Sequence, residues 1–124
     1  MPLHIDVPWL LDVQEQAVPE DVSVADYSAL VAAVARHRTR IPRPATVDPD
    51  PAWRAASLLH TLVRLQPLPY RNSLYACQVA VAYMHAAGEG IDPPYGALVV
   101  LVRDIQSGGT SVYQAADRLR EWRI

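Results

Sequence analysis

The stretch Asn72-Ser73-Leu74-Tyr75-Ala76-Cys77-Gln78-Val79-Ala80-Val81-Ala82-Tyr83-Met84-His85-Ala86-Ala87-Gly88 decides the fold. Its apolar and small residues, Leu74, Ala76, Cys77, Val79, Ala80, Val81, Tyr83 and Met84, go almost all the way round a helix, the pattern of a helix surrounded by others. It is read as the central helix, running from a cap at Asn72 to about Ala87, with Gly88 and Gly90 supplying the stop.

Working outward, the preceding loop Gln66-Pro67-Leu68-Pro69-Tyr70-Arg71-Asn72-Ser73-Leu74 follows another helical pattern. There Asp50 caps, Pro51 opens the helix, and Ala55, Leu58, Leu59, Leu62 and Val63 recur at helical spacing as far as Leu65. Asp6 is a candidate cap for a helix through Trp9, Leu10 and Val13 to about Gln16, with Pro8 tolerated in its first turn. A connection over Pro19 to Val24 leads to a helix from about Asp26 to Arg38, whose last turn carries Arg36, His37 and Arg38, cations that suit a helix C-terminus. Four prolines over residues 41–51 exclude regular helix there and make a stiff loop. Beyond Gly90, a helix spans about Pro94 to Gln106, with Leu98, Leu101, Val102 and Ile105 inward. The β-branched run Val99 to Val102 is open to a strand reading, but its length and Gly/Pro boundaries favour helix. Thr110 or Ser111 caps a last helix through Val112, Ala115, Leu119 and Trp122. The expected fold is all-α, a single domain over residues 1–124 with about six helices around a central buried one.

Composition narrows the function classes. The 124 residues suffice for one core without disulfides or metal. A net charge of −2 provides no basic field for nucleic acid, so a nucleic-acid partner is not expected. All eleven basic residues are arginine, and there is no phenylalanine, a bias that reads as a GC-rich coding sequence. The single Cys77 excludes an internal disulfide and a multi-thiolate zinc site. The start Met-Pro-Leu-His-Ile-Asp has no basic region followed by an apolar run, and no stretch reaches the length of a membrane span, so a cytoplasmic protein is expected.

Among residues able to carry chemistry, a loop feeding a helix at Asn72 presents free backbone N–H groups and a positive dipole end, with Arg71 beside it, as phosphate binding requires. The same features serve an ordinary helix start. His60 lies six residues before Gln66, about 240° round the helix, and reads as a packed or inter-helix histidine. His85 is about 20 Å along the helix from Asn72 and reads as surface. His37 reads as part of a solvated helix end, and His4 lies near the terminus. Cys77 has no histidine at contact spacing to activate it and reads as a buried thiol. Tyr70 and Tyr75 flank Asn72, where they can pack, stack on a base or grip a partner.

The run Ala55-Ala56-Ser57-Leu58-Leu59-His60-Thr61-Leu62-Val63-Arg64-Leu65-Gln66-Pro67-Leu68, followed by a helix ending in Gly88-Glu89-Gly90-Ile91-Asp92, resembles the Doc (death on curing) branch of the Fic family. The resemblance extends from Asp26-Tyr27-Ser28-Ala29-Leu30 to Ala115-Ala116-Asp117-Arg118-Leu119. It implies a helical bundle whose residues 41–51 stand where the family has a target-docking flap. It further implies an ancestry among enzymes that transfer a phosphate or nucleotidyl group from a nucleoside triphosphate to a protein hydroxyl, elongation factor Tu being the target of Doc toxins. The family loop reads His-x-Phe-x-Asp/Asn-Gly/Ala-Asn-Lys/Gly-Arg, with the histidine as general base, the acidic residue on magnesium, and the Asn, Lys and Arg on phosphates. Here Gln66 stands at the histidine, Leu68 at the phenylalanine, Tyr70 at the acidic residue, Arg71 at the small residue, Ser73 at the lysine and Leu74 at the arginine. Asn72 alone matches a functional residue.

Gln66 cannot accept a proton near neutral pH, and loss of a general base costs about 10²–10⁴-fold. Tyr70 is a poor magnesium ligand, and Leu74 removes a fork of donors for the transferring group. The expectation is a catalytically degenerate Doc-like protein of toxin–antitoxin ancestry that binds protein, without cofactor. An antitoxin-like protein or peptide, or a translation-factor target, is the expected partner. The alternative is a transferase with an altered site, using ATP and magnesium, in which Arg71, Asn72 and Ser73 hold the phosphates.

Overall fold

A computed structural model of the protein describes residues 3–18, 23–39 and 50–124. Most of the proline-rich stretch 41–51 and of the 19–24 connection therefore lies outside the described residues. The described chain forms six helices: α1 (Val7–Ala17), α2 (Tyr27–Arg38), α3 (Pro51–Leu65), α4 (Asn72–Ala86), α5 (Ala97–Gln106) and α6 (Val112–Glu121). None is long and apolar enough to cross a membrane.

Local chemistry sets most boundaries. The Asp6 carboxylate accepts from Trp9 N–H, Asp26 from Ser28 N–H and Asp50 from Trp53 N–H, each satisfying a donor that the helix start leaves open. Ser111 and Gln114 form a reciprocal capping box on α6. α5 begins at Ala97, later than the expected Pro94, because Gly96 turns through a left-handed conformation (φ 81°) before the helix can start. Behind it, Asp92 N–H donates to Trp122 O and Ile124 N–H to Gly90 O, so the last residues lie along the 90–92 segment. Arg123 adds an ion pair to Glu89 at 2.8 Å.

The central helix is α3, which corrects the expectation that α4 occupies that place. α3 packs against α2, α4, α5 and α6, and every residue from Ala52 to Leu59 is buried. α4 buries Tyr75, Ala76, Val79, Ala80, Tyr83 and Met84 but leaves Leu74, Cys77, Val81 and Ala82 half-buried and Gln78 exposed. The physical reason lies in residue type. Small apolar residues round α4 tolerate partial exposure, whereas Arg54 and Thr61 of α3, polar residues that suggest a surface, are buried and bonded to α2. Arg54 Nη1 donates to His37 O at 2.6 Å, and Thr61 Oγ accepts from Arg36 Nη1 at 3.2 Å.

Polar anchors then fix the outer layer. Tyr75 and Tyr83, eight residues apart on one face of α4, donate their hydroxyls to Leu10 O and Leu3 O, tying the N-terminal segment across the core. Arg120 of α6 binds the Asp50 carboxylate through Nε at 2.7 Å and Nη2 at 2.9 Å, a fork onto the residue that caps α3. Burial alone would raise the Asp50 carboxyl, but the bonds from Arg120 and Trp53 N–H outweigh it and hold that group below its ordinary value.

Candidate functional site

The loop joining α3 to α4 is a tightly bonded turn. Gln66 ends α3 in the left-handed region (φ 50°), its N–H bonded to Leu62 O and its side chain exposed. Pro67 O accepts from both Ala25 N–H (2.8 Å) and Asp26 N–H (3.1 Å), which fastens the loop to the start of α2. Leu68 is buried in the core, and the Asn72 amide closes on its backbone twice. Asn72 Oδ1 accepts from Leu68 N–H at 2.9 Å, and Asn72 Nδ2 donates to Leu68 O at 2.8 Å.

This geometry corrects the expected cap of α4. Arg71, in the left-handed region (φ 63°), is the capping residue and makes no side-chain cap bond, while Asn72 is the first residue of the helix. An asparagine before a helix ordinarily reaches forward to the free N–H groups. This one reaches back, because the buried backbone of Leu68 would otherwise lack partners. The N–H groups of residues 72–74 still precede the first helical bond, Tyr75 N–H to Arg71 O, so the positive end of α4 remains.

The other loop positions diverge in direction. Tyr70 is half exposed, whereas Tyr75 is fully buried. Ser73 Oγ accepts from Gln106 Nε2 of α5 at 3.2 Å. Leu74 turns into an apolar groove between α4 and α5 of about 410 Å³. Cys77, Leu98, Val99 and Val102 continue its wall, and Ser73, Arg103 and Gln106 lie at its polar edge. Beside it the first turn of α5 exposes Val99 and Val100, and Tyr95 ahead of it is fully solvated. Cys77 borders this groove rather than the deep core, and burial still pushes its thiol up to about 11. It is a protonated, weakly nucleophilic group at neutral pH.

The histidines lie away from the loop. His60 is half-buried between helices, its Nδ1 3.1 Å from Arg36 Nη1, and burial followed by the Arg36 charge lowers its pKa. His85 is exposed on the last turn of α4. His37 overturns the solvated reading, for it is fully buried. Its Nε2 accepts from Ile5 N–H at 3.0 Å and its Nδ1 contacts Val34 O, an arrangement that requires the neutral ring protonated on Nδ1. Burial is the main cause of its pKa falling to about 4.

The sequence reading missed two features. One is the groove, whose signal was the apolar face of α5 continuing outward through Val99 and Val100. The other is the buried Arg54, a charge inside an otherwise apolar helical run. A second concavity, between α5 and α6, holds Asp104, Asp117, Glu121 and Arg118, with Arg118 3.5 Å from Asp104. No group of three or more His, Cys, Asp or Glu among the described residues is arranged to hold a metal ion. No protein-family model matches the chain, and no curated protein matches it.

Proposed function

We propose that this is a catalytically degenerate, Doc-like cytoplasmic protein that acts by binding another protein. The observation that carries the reading is the commitment of the 66–74 loop to the fold. The Asn72 amide is occupied by Leu68, and Leu74 faces an apolar groove instead of offering a cation. A phosphoryl-transfer site needs a base, a metal ligand and donors around the moving group. Gln66, Tyr70 and Leu74 supply none of the three.

The groove between α4 and α5 supports the binding half of the proposal. An apolar trough with polar edges suits the apolar face of an amphipathic helix. An antitoxin-like helical segment is the partner that the resemblance suggests, with a translation-factor target as the other candidate. The second reading, a transferase using ATP and magnesium, draws on the positive start of α4, where Arg71 and Ser73 flank the first N–H groups. Calorimetry with ATP and magnesium separates the two. The binding reading predicts no heat of association at about millimolar nucleotide, a weak-affinity limit. Association that is lost in Arg71→Ala supports the transferase instead. Restoring Gln66→His, Tyr70→Asp and Leu74→Arg together is expected to leave the protein inactive, because the amide of Asn72 stays committed to Leu68. Growth arrest on expressing that triple variant would show that only those three side chains separated the protein from activity.

A further inference from the structure

Arg54 is a cation inside the most buried helix, only 4% exposed. Its Nη1 donates to His37 O near the C-terminus of α2, where the helix dipole supplies about half a negative charge. Its Nε is buried without an acceptor, and no carboxylate of the described residues forms an ion pair with it. Among the described residues, the ionisable groups near it provide no counter-charge. Arg38 donates to Ile5 O at 2.9 Å, and His4 lies with its ring 5.8 Å from that of His37. His4 has its pKa lowered by burial and then by Arg54 and Arg38, while Tyr83 is held neutral by burial. His37, with both ring nitrogens engaged, is neutral as well.

Two more donors share the fault. Trp53 Nε1 and Ser57 Oγ are also buried with no acceptor. At about 100° per residue, positions 53, 54 and 57 fall within about 100° of one another round α3. Three orphan donors in two turns are costly, since each unmet buried group loses its bond to water and an uncompensated charge loses more. The single carbonyl of His37 meets only one N–H of this set. What the set lacks is a group with several acceptors and negative charge.

We propose that Trp53, Arg54 and Ser57, with Arg38 and His4 on the solvent side, form a binding site for a tetrahedral oxyanion of the phosphate class. A guanidinium presents a planar fork to such an oxyanion, and the indole N–H and hydroxyl supply donors outside that plane. Arg38 and His4 are both exposed at this end of the fold, and the Arg38 charge draws the anion toward the site. The site is separate from the α3–α4 loop, since Arg54 and Gln66 are about 18 Å apart along α3, and it does not depend on the proposed protein-binding role.

The test is an NMR titration with inorganic phosphate at neutral pH, following the Trp53 indole N–H and the Arg54 Nε–H. Sodium chloride at matched ionic strength is the control, and phenyl phosphate is a second arm. The expected result is saturable shifts of both signals with phosphate and none with chloride. Saturation by phenyl phosphate alone supports the site and identifies its ligand as a phosphate monoester. Ser57→Ala removes an unpartnered hydroxyl and should leave folding intact, and Arg38→Gln changes an exposed charge. Each is expected to weaken phosphate binding about ten-fold, the loss that follows from one charge-assisted contact. Shifts that chloride reproduces, no saturation with either phosphate, or unchanged affinity in both variants would overturn the proposal.

Discussion

Lowering the pH should unfold this protein chiefly through His37. The ring is buried and neutral, with Nε2 accepting from Ile5 N–H and Nδ1 on Val34 O, so a second proton would break the bond that holds residues 3–5 against α2. Its folded pKa of about 4 lies below the ordinary 6.5. Between those values the unfolded chain binds a proton that the native state refuses, so stability is full above about pH 6.5 and declines as the pH falls toward 4. The gap of about 2.5 pH units corresponds to about 3.5 kcal/mol, at about 1.4 kcal/mol per unit. For a domain of this size each kcal/mol moves Tm by roughly 3–6 °C, so the transition should drop by roughly 10–20 °C. His60, half-buried and also lowered, acts in the same direction. Urea denaturation followed by circular dichroism at several pH values measures the loss, and His37→Gln identifies its source. Equal stability at about pH 7 and pH 4.5, or an undiminished loss in His37→Gln, would refute the reasoning.

Asn72→Ala should destabilise the fold by about 1–3 kcal/mol, because it leaves Leu68 N–H and O without partners, and Asn72→Asp, which keeps only the acceptor, should be intermediate by thermal melting. Tyr83→Phe strands Leu3 O and should cost about 1–3 kcal/mol, whereas Tyr75→Phe leaves Leu10 O its place in the α1 ladder and should cost about 0.5–1.5 kcal/mol, both speeding amide exchange over residues 3–10. Cys77, with its thiol raised to about 11, should react slowly with iodoacetamide at neutral pH and much faster as the pH approaches 11, the rate being followed by mass spectrometry.

The helices were legible where local chemistry is strong. Asp6, Asp50 and Ser111 cap as their spacing implied, and Gly88 turns through φ 82° just past the end of α4. Tertiary context decided the rest. The all-round apolar pattern of α4 pointed to the centre, yet α3 holds it, because Arg54, Ser57 and Thr61 lie buried against helix ends and neighbouring side chains that no periodicity reveals. Asn72 has the residue type of a cap, but Leu68 claims its amide from four residues back. His37 looked solvated because it sits among arginines, but residues 3–5 pack over it and the Tyr83 ring of α4 meets it edge-on. The loop's position between α3 and α4 could be read in advance. The direction of each of its side chains could not, since Leu74 turns toward α5 and Ser73 toward Gln106, both set by long-range contacts.

The central claim is that this loop is built for structure and the protein for binding, not for phosphate transfer. The most direct test is to incubate the protein with radiolabelled ATP, magnesium and elongation factor Tu and to follow label on the protein substrate. No transfer above the level without the protein is the predicted result. Label on the factor that grows with the amount of this protein, and disappears in Arg71→Ala, would contradict the claim.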